Sequence, residues 1–337
     1  MSAEREAAAS AGRGSGAAAR FDRSRLRLRP LAERAHDLDL AALRSLEASG
    51  SVPAEVREVA ARIHAVRRAG RPVILMMGAH VLRAGVQRHL IDLLERGLVT
   101  LVAMNGACVI HDFELALIGA TTESVARYIA TGEFGLWEET GRINDIVNAA
   151  HAAGELGLGE AVGEAILGGA YPHKDVSLLA ACRRLGVPAT VHIGIGYDIV
   201  HEHPNFDAAA AGAASYRDFL RFAAEVERLD GGMLLAFGSA VMAPEVFLKA
   251  LAMARNVAAR EGRRVEGFDV LVADIQELRG DLAAEPSRSS PSYYFRPWKT
   301  LLARTLAGGG RSRYLRGRHE ETVPALWRAL TAADGAA

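Results

Sequence analysis

The sequence has very little cysteine, no long apolar run and no net charge. Its only two cysteines, Cys108 and Cys182, are too few for a disulfide framework, which favours a reducing compartment and predicts a cytoplasmic protein. No apolar stretch approaches the roughly 20 residues that a membrane-spanning helix needs. The 40 basic residues balance the 40 acidic residues, so no global field favours binding to nucleic acid or to a membrane surface.

What the chain does have is enough apolar residues for a sizeable core. Hydrophobic residues make up 50% of the 337 residues and charged residues make up 24%. Residues 1–20 are mostly Ala, Gly, Ser and Arg, with no large apolar residue after Met1. We therefore predict a disordered tail over residues 1–20 and one domain over residues 21–337.

Short, unbroken apolar runs alternate with helical patterns along the whole chain. The run at residues 72–77 is typical of a strand that is buried on both faces of a parallel sheet. Further strands are predicted at residues 98–103, 188–195, 232–237, 268–273 and 313–316. Helices are predicted at residues 37–46, 53–69, 81–96, 111–119, 121–130, 143–166, 176–185, 215–229, 244–260, 298–307 and 321–330, with a long loop at 278–294. This alternation predicts a doubly wound, mostly parallel, Rossmann-like α/β sheet with helices on both faces.

Glycine-containing loops follow four of the predicted strands. They are Gly78-Ala79-His80, Asn105-Gly106, Gly194-Ile-Gly-Tyr-Asp198 and Gly238-Ser239-Ala240. None completes the Gly-x-Gly-x-x-Gly dinucleotide pattern, and each taken singly is as compatible with a plain strand-to-helix turn. Because the carboxyl ends of parallel strands meet at one edge of a sheet, the four loops together favour a nucleotide-like ligand.

Several charged or aromatic residues permit a structural or a functional interpretation. Glu114 opens a predicted helix, where it either offsets the helix dipole or faces the ligand. Asp198 is either a solvated loop carboxylate or a group that binds a cation. His201 and His203 are either loop histidines, which we favour, or part of a metal site that lacks a third ligand.

Trp298-Lys299 follows the long polar loop. In the structural interpretation, Trp298 packs in the core and Lys299 is a solvated charge. In the functional interpretation, Trp298 forms one wall of a pocket in which the amine of Lys299 forms Schiff bases.

The ordered series of these loops resembles the deoxyhypusine synthases over roughly residues 71–119 and 174–299. The family's first cofactor loop is similar to Gly78-Ala79-His80, and its following Thr/Ala/Gly loop and acidic residues are similar to Asn105-Gly106 and His111-Asp-Phe-Glu114. Its Asp-Gly-Ser-Leu-Gly-Asp motif is similar to Ile193-Gly-Ile-Gly-Tyr-Asp198. Its glycine triplet, Gln-Glu segment and lysine motif are similar to Gly238-Ser-Ala240, Gln276-Glu277-Leu-Arg-Gly280 and Trp298-Lys299.

The resemblance implies an NAD-dependent transferase that moves an aminobutyl group from a polyamine such as spermidine to an acceptor amine through a lysine imine. Lys299 and Trp298 would be catalytic, and Asp198, Glu114 and Glu277 would bind the polyamine. The cofactor would be bound by Gly78, Ala79, His80, Asn105, Gly106, Gly238, Ser239 and Gly280. The resemblance further implies a homotetramer. No metal ion is predicted, because His201 and His203 lack a third ligand.

Departures from the family motifs keep a second hypothesis open. Ile193, Ser239 and Ala240 stand where the family has Asp and two Gly residues, and Pro244-Glu245 falls near its catalytic histidine. The alternative is a protein of the same fold whose catalytic site has diverged or been lost, and which binds a nucleotide or another amine.

Overall fold

The computed structural model describes residues 20–47, 50–154 and 156–332. Its main feature is a six-stranded, entirely parallel sheet. The strands, including a separate two-stranded pair β1 and β4, are β1 (Leu38–Asp39), β2 (Val73–Met77), β3 (Leu101–Asn105), β4 (Ala120–Thr121), β5 (Ala189–His192), β6 (Met233–Phe237), β7 (Asp269–Asp274) and β8 (Ser312–Arg316). The predicted doubly wound parallel sheet is confirmed. The predicted tail lies outside the described residues except for Arg20.

The strand order of the sheet is β5-β3-β2-β6-β7-β8. Counted along the chain, its six strands therefore lie in the order 3-2-1-4-5-6, which is the Rossmann order. The chain builds outward from β2 to β5, returns to the centre at β6 and then builds outward in the other direction. The reversal places the loops after β2 and β6 side by side at the carboxyl edge of the sheet.

Helices cover both faces of the sheet. They are α1 (Ala54–Arg68), α2 (Ala79–Arg83), α3 (Gln87–Glu95), α4 (Gly106–Ile118), α5 (Val125–Thr131), α6 (Arg142–Ala153), α7 (Leu158–Gly168), α8 (Leu178–Leu185), α9 (Ala208–Glu227), α10 (Met242–Arg260) and α11 (His319–Ala332). No helix of the described ranges combines the length and the apolar character that crossing a membrane requires.

Alternation along each strand divides the core into two layers. Val73, Leu75 and Met77 of β2 pack against one set of helices, which includes α1, α3, α4 and α11. Ile74 and Met76 point to the opposite face, where α9 and α10 lie. Every residue of β2 is buried, as its unbroken apolar sequence predicts.

Two helix predictions near the amino end are wrong, and both fail because distant parts of the chain meet. The predicted helix at residues 37–46 contains strand β1, which pairs with Ala120–Thr121, and a short 3-10 turn at Leu40–Ala42. The predicted helix at residues 81–96 breaks at Gly85, whose φ is +72°. A Cβ at Gly85 would lie 2.1 Å from the carbonyl oxygen of Ala42, so the docked amino-terminal segment requires glycine there.

Other predicted helix boundaries also differ from those in the structure. The predicted helix at residues 143–166 is two helices, separated after α6 by Gly154 with a φ of +94°. Helix α4 begins at Gly106 rather than at residue 111, and α9 begins at Ala208 rather than at residue 215. The helix predicted at residues 298–307 is a π-helix at Pro297–Arg304.

Candidate functional site

The loops after β2 and β6 touch through their backbones. The N–H of Gly78 donates to the carbonyl oxygen of Phe237 at 3.0 Å. A Cβ at Gly78 would lie 2.1 Å from the carbonyl oxygen of Gly238, so a side chain at Gly78 would separate the two loops. The structure thus brings together two of the predicted cofactor residues at the point where the strand order reverses. An open α/β sheet binds its ligand at this point.

The residues that follow these two glycines have different surroundings. Ala79 is buried, whereas His80 is exposed and lies 3.4 Å from the Arg83 guanidinium, nitrogen to nitrogen. Ser239 is buried, and its Oγ accepts a hydrogen bond of 3.0 Å from the N–H of Ala243. The Ser239 Oγ therefore satisfies an N–H in the first turn of α10, a role for its side chain that requires no ligand.

Two residues that the sequence analysis did not select complete this part of the site. His319, at the start of α11, is buried against Gly238, where a Cβ would lie 2.5 Å from its Nε2. Burial lowers the pKa of His319, and its Nδ1 has no hydrogen-bond partner among the described residues. Asp274 ends β7, the strand next to β6.

Asp274 gives the β6–α10–β7 unit a relaxed form of the dinucleotide pattern. Small residues stand at Gly238, Ala240 and Ala243, at the spacing of the three glycines in Gly-x-Gly-x-x-Gly, and an acidic residue ends the following strand. Ala240 and Val241 are exposed at the start of α10. A search that accepts alanine at the second and third glycine positions would have found this unit.

The loops after β3 and β5 form a second, adjacent part of the site. A Cβ at Gly106 would lie 2.1 Å from Oδ2 of Asp198, so the carboxylate presses against the first turn of α4. Burial raises the pKa of Asp198 to about 6, opposed in part by a hydrogen bond from the N–H of Ala107. Asn105 precedes this turn, and its Oδ1 accepts from the Cys108 thiol at 3.0 Å. Asp198 is thus a buried carboxylate that changes charge near pH 6.

Glu114 is committed to a buried ion pair. Its two carboxylate oxygens accept from both terminal nitrogens of Arg34 at 2.8 and 2.7 Å and from the hydroxyls of Thr140 and Thr121 at 2.6 and 2.7 Å. Burial acts to raise the pKa of Glu114, but Arg34 and the hydroxyls hold it below its ordinary value. The side chains of Arg34 and Glu114 are each 1% exposed, so this carboxylate ties the amino-terminal segment to α4.

His201 and His203 have separate partners. The Nδ1 of His201 accepts from the N–H groups of Gly196 at 3.1 Å and Asp198 at 3.3 Å. Nε2 of His203 lies 2.8 Å from the carbonyl oxygen of Gly135. His201 therefore belongs to the Asp198 loop, and His203 belongs to the packing around Gly135.

The remaining predicted residues lie after β7. Glu277 pairs with Arg279 at 2.9 Å and with Arg316 at 3.7 Å on the surface. Gly280 faces the ring of Trp298, with 3.6 Å from the position of a Cβ to the ring. Trp298 is buried, and its Nε1 donates to the carbonyl oxygen of Ala284 at 3.0 Å.

Lys299 follows Trp298 on the π-helix, with its Nζ 3.5 Å from the ring centroid of Tyr293. Within the described residues, no hydrogen bond or ion pair joins Lys299 to Gly78, Asp198 or Asp274. The structure therefore gathers Gly78, Gly106, Asp198 and Gly238 on adjoining loops. Lys299 lies outside this group, on the π-helix that follows β7 and its long loop.

The sequence matches no family model and no curated protein. Among solved structures, the chain is similar to a mutant of AgrE bound to L-arginine, with a TM-score of 0.51, 16% identity, and coverage of 86% of this chain and 35% of AgrE. The complex of AgrE with ornithine and NAD+ gives a TM-score of 0.51 and 15% identity, with 84% of this chain and 33% of AgrE covered. The chain thus spans about a third of the length of AgrE.

A protein of Entamoeba histolytica described as a deoxyhypusine synthase is more distant. It has a TM-score of 0.37 and 8% identity, with 78% of this chain and 75% of that chain covered. The similarity to the two AgrE structures supports the Rossmann-like fold predicted from the sequence. The comparisons do not show membership of the deoxyhypusine synthase family.

Proposed function

We propose that the chain is an enzyme that binds NAD across the loops after β2 and β6 and acts on an amine. The observation that carries the proposal is the backbone contact between Gly78 and Gly238 at the reversal of strand order. A pocket for a dinucleotide lies at this point in Rossmann sheets. The similarity to AgrE, which has been crystallised with ornithine and NAD+, supports this choice of cofactor and substrate class.

The residues present fit a dinucleotide. Small or glycine residues at Gly238, Ala240 and Ala243 leave the start of α10 open to an anionic group, and Asp274 offers a carboxylate of the kind that binds ribose hydroxyls. His319, beside Gly238, has an Nδ1 that lacks a partner within the described residues. NAD, when bound, would supply a hydride acceptor.

The amine would be held at the adjoining loops after β3 and β5. Asp198 is ionised in most molecules above its pKa of about 6, so at neutral pH it offers a negative charge to an ammonium group. Because the Asp198 side chain is only 7% exposed, little water competes for that charge. The candidate amines are ornithine-like or polyamine molecules, which share an alkyl stem with terminal ammonium groups.

Calorimetry with NAD and an Ala240→Asp variant tests the cofactor site. We expect wild type to bind NAD and Ala240→Asp to bind it roughly tenfold more weakly, because a carboxylate at the start of α10 repels the pyrophosphate. Ala252→Asp, which places the same charge on an exposed position of the same helix, should bind as wild type does. Absence of binding heat with folded wild-type protein would contradict the proposal.

The finer proposal is aminobutyl transfer through an imine on Lys299. The sequence has three lysines, which makes the assignment tractable. Lys174 donates to the carbonyl oxygen of Leu167 at 3.0 Å, and Lys249 pairs with Glu245. Lys299 is half-buried against the Tyr293 ring, and is the lysine whose amine lies over an aromatic face.

Borohydride trapping tests whether Lys299 forms an imine with the substrate. After incubation with spermidine and NAD, wild type should carry a reduced label on Lys299, a Lys299→Arg variant should carry none, and a Lys249→Arg variant should be labelled as wild type is. NAD binding without any label would favour the alternative of a dinucleotide-binding protein with a diverged catalytic site. The acceptor amine and the homotetramer remain proposals, and the latter is checked by sedimentation.

A further inference from the structure

His201 is held by its own loop in one tautomer. Its Nδ1 accepts from the N–H groups of Gly196 and Asp198, at 3.1 and 3.3 Å. A nitrogen that accepts two hydrogen bonds carries no proton, so in the neutral ring the proton is on Nε2. Nε2 lies 3.9 Å from Oδ2 of Asp198. This separation is longer than a hydrogen bond, so the neutral ring places an N–H near the carboxylate without a direct bond to it.

The two side chains share a nearly closed environment. The side chains of His201 and Asp198 are 6% and 7% exposed. The His201 ring packs on Phe206, with 4.6 Å between the ring centroids. A cavity of about 20 Å³, lined in part by Gly106, Asp198 and His201, has room for about one water molecule.

The other titratable groups near the pair have partners or stay neutral. On α4, burial raises the pKa of the Cys108 thiol, and Asp112 accepts from Ser177 Oγ at 2.5 Å and from two backbone N–H groups of α8. Asp207 caps α9 through the N–H groups of Ala209 and Ala210. Glu202, on the same turn as His201, is exposed. Among these side chains, His201 is the one that brings a nitrogen to 3.9 Å from the Asp198 carboxylate.

We propose that His201 is the positioning residue that fixes Asp198 and sets its charge for an amine substrate. Nδ1 accepts from the N–H groups of Gly196 and Asp198 and so holds the loop. The Nε2–H dipole lies 3.9 Å from the carboxylate in a nearly closed site, where it favours the ionised form that an ammonium group requires. This rests on the proposed amine site. When the carboxylate is protonated, the charge that holds the ammonium group is lost, so the pair makes amine binding depend on pH.

Carboxyl-carbon NMR of the ligand-free protein tests the pair without any substrate. We expect Asp198 to titrate well above an ordinary Asp. His201→Asn, whose Oδ1 can still accept from the loop N–H groups, should raise that titration midpoint by roughly half a pH unit, because the carboxylate loses the nearby Nε2–H dipole. Nitrogen shifts of the wild-type ring should show the Nε2–H tautomer, a measurement that needs no variant to fold.

Spermidine titrations then connect the pair to binding. The pH at which affinity for spermidine is half lost should rise in His201→Asn by the same amount as the Asp198 midpoint. An unchanged Asp198 midpoint, or an Nδ1–H tautomer in wild type, overturns the inference. A shifted midpoint without spermidine binding at any pH leaves the Asp198–His201 pair supported and counts against the proposed amine site instead.

Discussion

The loops around Asp198 and the segment at residues 275–304 both follow the carboxyl ends of strands, but they are held in different ways. Asp198 is fixed by close backbone contacts at Gly106 and by a buried histidine. The later segment is held by exposed pairs, such as Arg304 with Glu285, whose side chains are 40% and 46% exposed. The first region is preorganised. In the second, the loop before the π-helix can rearrange at little cost, whereas Trp298, Leu301 and Leu302 bury the π-helix itself in the core.

The largest expected effect comes from breaking the buried pair that supports the first region. Glu114→Ala leaves Arg34 buried without a counter-ion, and we expect a loss of about 3–5 kcal/mol in the free energy of unfolding, measured in urea. Glu285→Ala removes an exposed pair of the second region and should leave the unfolding midpoint unchanged. Similar losses in both variants would remove the distinction between the regions.

A second prediction concerns Asp218, which lies on α9 behind the Asp198 loop. Its Oδ2 accepts from the N–H groups of Gly159 and of Val191 in β5, both at 2.9 Å, and burial raises its pKa to about 7. The folded state therefore holds one more proton than the unfolded state between the ordinary Asp pKa and about 7. This group makes stability fall as pH rises through that window, by about 1.4 kcal/mol per pH unit.

Asp218→Asn should remove that part of the slope. Urea unfolding at several pH values between 4.5 and about 7 measures it. Asp207→Asn, an exposed cap on the same helix, serves as the control and should keep the wild-type slope. Equal slopes for wild type and Asp218→Asn would show that Asp218 is ionised throughout the range.

The smallest expected effect comes from a substitution that destabilises the second region alone. Trp298→Phe removes the donor to the carbonyl oxygen of Ala284, a bond worth about 1 kcal/mol. We expect faster hydrogen exchange over residues 278–296 and unchanged exchange in β2. Tyr294→Phe, at an 81% exposed position, should change neither. Faster exchange in β2 as well would mean that the two regions unfold together.

The sequence patterns predicted those features of the fold that depend on neighbouring residues or on a regular hydrophobic period. The apolar run at residues 72–77 could only be a buried strand, and the convergence of Gly78, Gly106 and Gly238 followed from parallel strands ending at one edge. The break at Gly85 could not be predicted, because it depends on the carbonyl of Ala42, which is remote along the chain. His319 was missed for the same reason, since only the fold brings the start of α11 against Gly238.

Glu114 shows how residue type alone misleads about a site. An acidic residue near a strand-end loop satisfied the sequence criterion for binding an amine. Its partner Arg34 lies 80 positions away, and nothing in the local pattern pairs them. Ser239 is a similar case, because its hydroxyl serves the helix that follows it.

The carboxylate pressed against the first turn of α4 has a consequence for ligand orientation. The amino end of that helix carries a partial positive charge, and Asp198 already neutralises it from within the protein. Anionic groups gain nothing at this end of the crevice and are repelled by Asp198, while the start of α10 is left for them. Under the proposed function, the anionic groups of the dinucleotide would therefore lie at the start of α10 and the ammonium group of the amine at Asp198, which keeps the two ligands at opposite ends of the crevice.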